Sequence, residues 1–278
     1  MITAALGVAL AGWIFWENRA LECNEYSVSC RNLPQSFEGF RIAQVSDFHN
    51  VEYGKGNKKL LELLRQAKPD IIVFTGDIID SRRLKISVAI SLMEEAAKIA
   101  PCYFATGNHE SRISELQELL EGLEKAGAVV LRNEAVQLAR GEDALWILGV
   151  DDPAFHADYE DGRISPGFME AVVEWGKKEH GYTVLLSHRP EWFALYRDCG
   201  IDLVFSGHAH GGQFRIPFAG GFYGPNQGFF PKYDAGVFSE SGTNMVVSRG
   251  AGPSIIPLRI HNPPEILVAE LHRQEEIQ

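Results

Sequence analysis

Five short runs of mostly apolar residues, at 40–45, 71–74, 102–105, 183–186 and 201–205, divide this chain, and each stops abruptly at a polar turn. Continuous β-branched and aromatic runs of this length fit strands buried on both faces, as in a largely parallel sheet covered by helices. Helical periodicity lies between them. Leu60, Leu61, Leu63 and Leu64 mark an amphipathic helix over residues 58–67 that Lys68-Pro69-Asp70 stops, and residues 86–99 repeat the pattern. Ser111 reads as the cap of a helix reaching about Glu124, and residues 169–178 as another helix. Strand, polar loop and helix in alternation specify an α/β domain, in which ligands sit at the carboxyl ends of the strands. Past Gly127 the strand-like pieces shorten, at 128–131, 135–138 and 145–150, and the chain finishes in strands at 245–247 and 266–269. Residues 18–35 read as a polar connector, so the domain is expected over residues 35–275.

The run ends carry the chemistry. In chain order they read Ser46-Asp47-Phe48-His49, Thr75-Gly76-Asp77, Thr106-Gly107-Asn108-His109-Glu110, Ser187-His188 and Ser206-Gly207-His208-Ala209-His210. Side chains two apart on extended backbone project to one side, so Asp47 with His49 can reach a single centre. Five of the nine histidines sit at these ends, the others being His156, His180, His261 and His272. One such placement is ordinary for a solvated loop histidine; five in succession are not. Imidazoles, carboxylates and an amide oxygen together suit a transition metal such as Mn, Fe or Zn better than Ca or Mg, which prefer oxygen alone. The seven candidate ligands, Asp47, His49, Asp77, Asn108, His188, His208 and His210, exceed what one ion with an open position takes. They fit two ions sharing a carboxylate.

Composition narrows the partners. A net charge of −11 argues against long nucleic acids, which normally meet a basic face. Cys23, Cys30, Cys102 and Cys199 form no CxxC pair and are expected as free thiols. Residues 2–16 carry no charge and end in Trp13-Ile14-Phe15-Trp16, which marks residues 1–20 as a membrane-associating segment with an aromatic interface end. The run is shorter than the roughly 20 residues a spanning helix takes, so an anchor or a monotopic segment on a cell membrane is expected, facing an undetermined side.

With Asp47-x-His49, Gly76-Asp77-x-x-Asp80, Gly107-Asn108-His109-Glu110, His188 and Gly207-His208-x-His210 in this order, the chain from about Arg41 to Gln213 closely resembles the calcineurin-like metallophosphoesterases. The resemblance implies a four-layer α/β/β/α sandwich and two divalent ions, with manganese the leading candidate. By the same resemblance, one ion is held by Asp47, His49, Asp77 and His210, and the other by Asp77, Asn108, His188 and His208, with Asp77 bridging. His109 would contact the phosphate or protonate the leaving oxygen, Glu110 would orient it, and Asp80 would stand behind the ligands or cap a turn. Two ions about 3.5–4 Å apart acidify a bridging water, so attack on a phosphodiester or pyrophosphate by the resulting hydroxide needs no side-chain nucleophile. Phe218, Phe222, Tyr223, Phe229, Phe230, Tyr233 and Phe238, interleaved with glycines and prolines, resemble the membrane-associated bacterial phosphoesterases, a group that includes UDP-2,3-diacylglucosamine pyrophosphatases. That implies a lipid-linked substrate at a bilayer surface. The alternatives are a nucleotide or cyclic-nucleotide phosphodiesterase of the same fold and a non-catalytic scaffold, the latter disfavoured because no ligand position is missing.

Overall fold

Alternation along the buried strands decides the layering. In strands β2 (Phe40–Val45), β3 (Ile71–Thr75) and β4 (Cys102–Ala105), Ile42, Ile71, Val73 and Tyr103 face one way. Ala43, Val45, Ile72, Phe74 and Phe104 face the other. The second set packs on Leu60, Leu61 and Leu64 of α1 (Lys58–Ala67), on Leu92 and Met93 of α2 (Ile86–Ala96), and on Leu119, Leu120 and Leu123 of α3 (Leu116–Lys125). Each of these leucines buried from water contributes roughly 1.5–3 kcal/mol. The first set instead meets a second sheet, through Ile147, Val184, Leu186, Leu203 and Phe205. The far face of that sheet rests on Phe168 and Val172 of α4 (Pro166–Gly176) and on Phe193 and Tyr196 of α5 (Phe193–Asp198). Helices, sheet, sheet and helices form the four layers expected. The computed structural model describes residues 12–14, 16–157, 159–160, 163, 165–176, 181–254 and 258–274.

The first sheet adds β1 (Glu22–Cys30), β5 (Ala128–Val130) and β16 (Glu265–Arg273), in the order β1-β16-β2-β3-β4-β5. The second comprises β6 (Glu134–Arg140), β7 (Asp143–Gly149), β8 (Thr183–Leu186), β9 (Leu203–Ser206), β14 (Gly236–Glu240) and β15 (Thr243–Val247), in the order β14-β15-β9-β8-β7-β6. Four two-residue strands, β10 (Arg215–Ile216), β11 (Gly220–Gly221), β12 (Tyr223–Gly224) and β13 (Gly228–Phe229), pair into two small hairpins between β9 and β14. Strands β2 to β5 run parallel through α1, α2 and α3, and β7 to β9 run parallel through α4 and α5, so their carboxyl ends share one edge.

Three expectations change. The polar connector contains β1, an edge strand whose outward positions are polar and which buries only Val28 and Cys30, so alternation hides its apolar face. Ser111 does not cap a helix: its hydroxyl donates to Asn108 O at 2.9 Å, and α3 begins at Leu116. Helix α4 begins at Pro166, while residues 177–178 of the expected helix lie outside the described residues. All four cysteines are free, with Cys30 and Cys102 buried. Most of the apolar segment at residues 1–20 lies outside the described residues; among the described residues no helix is long and apolar enough to cross a membrane.

Candidate metal centre and active site

His49, Asp77, Asn108, His109, His208 and His210, from the turns after β2, β3, β4 and β9, line one cleft, and Asp47 and His188 lie buried within donor reach of them. Asp47, His49 and His210 form one group, Asp77, His188 and His208 a second, and His49, Asp77 and His109 a third; within each, one donor atom per residue lies within 4.8 Å of the others. Asp77 Oδ2 stands at the middle, 3.3 Å from His188 Nε2, 3.7 Å from His49 Nε2 and 3.9 Å from His109 Nε2. Asp47 Oδ1 lies 3.3 Å from His210 Nε2 and 3.9 Å from His188 Nε2. Asn108 lines the same cleft, whose volume is about 540 Å³.

The backbone is bent to make this possible. Asp47, His49, Asp77, His208 and His210 all have φ between 47° and 64°, the left-handed region that costs a side chain bearing a Cβ about 1–3 kcal/mol each. Glycines let the loops interlock. A Cβ on Gly207 would overlap Ser46 and Asp47, and one on Gly107 would overlap Asp77. Strain gathered on five ligand-type residues is expected where surrounding structure over-determines a functional site.

Hydrogen bonds set the tautomers. A backbone carbonyl can only accept, so His188 Nδ1 donates to Thr75 O at 2.8 Å and His49 Nδ1 to Ile79 O at 3.3 Å. Both rings therefore turn Nε2 toward Asp77. His49 Nε2 also lies 3.4 Å from His210 Nε2, with the two rings stacked. Asn108 Oδ1 and His188 Nε2 are buried with no hydrogen-bond partner. Acceptors crowded in this way are stable only around positive charge, and their mixed nitrogen and oxygen character fits divalent transition metals.

Protonation follows the same logic. Burial alone would keep His188 neutral, but Asp77, and after it Asp47, push it up to about 10. Burial would raise Asp77, yet His188, His109 and His49 hold it well below the usual carboxylate range. Burial, with help from Asp77, lifts Asp47 to about 6, and burial lowers His49 to about 4 and holds His208 and His210 well below the usual imidazole range. Neutral imidazole is the form that ligates a metal.

Supporting contacts correct one expectation. Glu110 does not orient His109. Its carboxylate instead accepts the backbone N–H groups of Asp77 at 2.8 Å, Gly107 at 2.7 Å and Ile79 at 3.3 Å, tying together the loops after β3 and β4. Burial and then Asp77 lift it to about 7. The partner of His109 is Ser81, whose backbone N–H donates to Nδ1 at 3.0 Å, so the ring proton of the neutral form sits on Nε2. Asp80 Oδ1 stands 3.5 Å from the same Nδ1 and receives Arg82 Nε at 2.9 Å, a supporting place as expected. Sequence reasoning missed Arg189 and Asn226. Arg189 is clamped by Asp152, Nε to Oδ2 at 2.5 Å and Nη2 to Oδ1 at 2.8 Å, and its Nη1 faces His208 and Asn226. The adjacency of Arg189 to His188 was the only signal for it; Asn226 had none.

The layered fold and the adjoining His/Asp clusters, two of which contain Asp77, define a metallohydrolase with a dinuclear divalent-metal centre. The calcineurin-like phosphoesterase family matches residues 40–212, and the chain belongs to that family as a phosphoric ester hydrolase. It is 30% identical, over 97% of this chain and 91% of the relative, to the uncharacterized metallophosphoesterase YkuE of Bacillus subtilis (strain 168). It is 28% identical, over 84% of this chain and 82% of the relative, to the phosphodiesterase YaeI of Escherichia coli (strain K12). Among solved structures, the phosphopantetheinyl hydrolase of Mycobacterium tuberculosis superposes with a TM-score of 0.50 at 13% identity, covering 80% of this chain and 96% of that one, a likeness of fold.

Proposed function

We propose that this chain hydrolyses phosphodiester or pyrophosphate bonds, with Asp47, His49, Asp77 and His210 holding one ion and Asp77, Asn108, His188 and His208 the other. The observation that carries this is Asp77, placed within reach of His49, His109 and His188 at once. Two divalent ions, with manganese the first choice, supply an acidified water and charge neutralisation on the phosphoryl group. The chain's own residues do the rest. His109 turns Nε2–H into the cleft, where it donates a hydrogen bond to a phosphoryl or leaving oxygen. Arg82, Arg112 and Arg189 line the same cleft and offer positive charge to an anion with more than one phosphate oxygen to place. Glu110 and Ser46 hold the two bent aspartate loops; the Ser46 hydroxyl donates to Asp47 Oδ2 at 2.7 Å.

A lipid-linked substrate at a bilayer surface is the reading supported by the rim of the cleft. Tyr223, Pro225 and Gly228 line it, and from the same Gly-rich segment Phe218, Phe229 and Phe230 project with more than half of their surface exposed. Trp13 packs on His261 with ring centroids 5.1 Å apart, and Ile260 bridges to Phe214 at the start of that segment. The end of the apolar N-terminal run is thus joined, through His261 and Ile260, to the start of the segment that carries the exposed aromatics. Turnover by the manganese-loaded full-length protein of bis-p-nitrophenyl phosphate, p-nitrophenyl phosphate, cyclic nucleotides and a UDP-linked lipid in vesicles tests the reading. Diesters or pyrophosphates should exceed the monoester, with the lipid preferred; a monoester preference overturns the reaction class, and a cyclic-nucleotide preference overturns the lipid.

A further inference from the structure

The loop between the small strands β12 and β13 brings a side chain against the second group of candidate ligands. Asn226 Oδ1 lies 3.0 Å from His208 Nε2 and 2.8 Å from Arg189 Nη1. A guanidinium only donates, so the amide atom turned toward Arg189 is the oxygen. Arg189 Nη1 is also 2.9 Å from His208 Nε2, where two hydrogen bonds to Asp152 pin its charge. Since the guanidinium cannot accept, a proton on Nε2 can go only to Asn226 Oδ1, whose two lone pairs then take both N–H groups. A divalent cation on Nε2 would sit against that guanidinium. The nitrogen left for an ion is Nδ1, which must then be bare, and the proton of the neutral ring must reside on Nε2. That Nε2–H needs an acceptor, and Asn226 Oδ1 is the oxygen within hydrogen-bond reach.

We propose that Asn226 is a positioning residue for the metal centre: by accepting Nε2–H it holds His208 in the tautomer that offers Nδ1, and Arg189 holds Asn226 in place. The proposal rests on the dinuclear reading above. Partners behind metal-bound histidines change metal affinity by about 10–100-fold when removed. Asn226 has φ of 60°, which glycine and aspartate also tolerate, so Asn226→Gly removes the acceptor and Asn226→Asp keeps it without bending the loop.

Titration of Mn²⁺ into metal-stripped full-length wild type, Asn226→Gly and Asn226→Asp, followed by calorimetry and by metal analysis after gel filtration, tests the assignment. Circular dichroism melts of the stripped proteins control for folding. Wild type should take two equivalents. Asn226→Gly should keep one site at wild-type affinity and weaken the other by roughly 10–100-fold, and Asn226→Asp should restore both. Two unchanged sites in Asn226→Gly, or equal losses in the glycine and aspartate variants, overturn the proposal. A wild-type protein that takes one ion or none refutes the dinuclear reading instead, so the two failures are distinct.

Discussion

On the proposed ligand set, filling the centre with metal at pH 7 requires stripping a proton from His188. Asp77 and Asp47 push that ring up to about 10, three units above the working pH. At about 1.36 kcal/mol per unit, the metal must overcome about 4 kcal/mol of proton affinity at this one ligand. The apparent affinity should therefore rise about tenfold per pH unit between pH 6.5 and 8.5, with about one proton released on filling. Below pH 6 the dependence should steepen, because Asp47, lifted to about 6, then carries a second proton. Calorimetric Mn²⁺ titrations in two buffers of different ionisation enthalpy count the released protons directly. His188→Asn should bind more weakly and lose the proton release. A flat affinity across that range, or no buffer dependence, would refute the argument that the carboxylates hold His188 charged.

Asp77→Ala should abolish both metal binding and turnover, since it removes the oxygen that stands between His49 of one proposed ligand set and His188 of the other; two retained equivalents by metal analysis would contradict its bridging place. His109→Ala should keep both ions and lose about 10²–10⁴ in kcat, and full activity would remove its assigned role. Glu110→Gln turns a donor toward backbone N–H groups that now meet carboxylate oxygens, and should destabilise the fold by about 2–4 kcal/mol in denaturant titration, whereas a loss below 1 kcal/mol would show the three bonds to be dispensable. The metal-stripped protein should melt at lower temperature as pH rises from 6.5 to 10: His188 is raised above its unfolded value, so its contribution is full below about 6.5 and is lost through about 10, whereas Asp47, lifted to about 6, and Glu110, lifted to about 7, have given up most of theirs by the bottom of that window. A melting temperature that climbs over that window contradicts the sign.

What the sequence by itself determined is the part of this protein governed by local periodicity. Strands β2, β4 and β8 and helix α1 are legible at their observed bounds because a continuous apolar run or a helical stripe is a property of adjacent residues. The chemistry at the strand ends is legible too, since a parallel sheet delivers those turns to one edge. Only the tertiary structure decided how the donors are protonated and supported. Glu110 follows His109 in the chain yet binds the β3 loop, because the left-handed turn at Asp77 exposes N–H groups that need an acceptor. Ser81, Arg189 and Asn226 come from three distant segments, and apart from the place of Arg189 beside His188 nothing in their immediate neighbours marks them as partners of His109 and His208. Strand β1 stayed hidden for the same reason: an edge strand buries few residues, and its partner β16 lies at the other end of the chain. Contacts between residues far apart in sequence are set by packing of whole layers, a three-dimensional property that short windows of sequence do not carry.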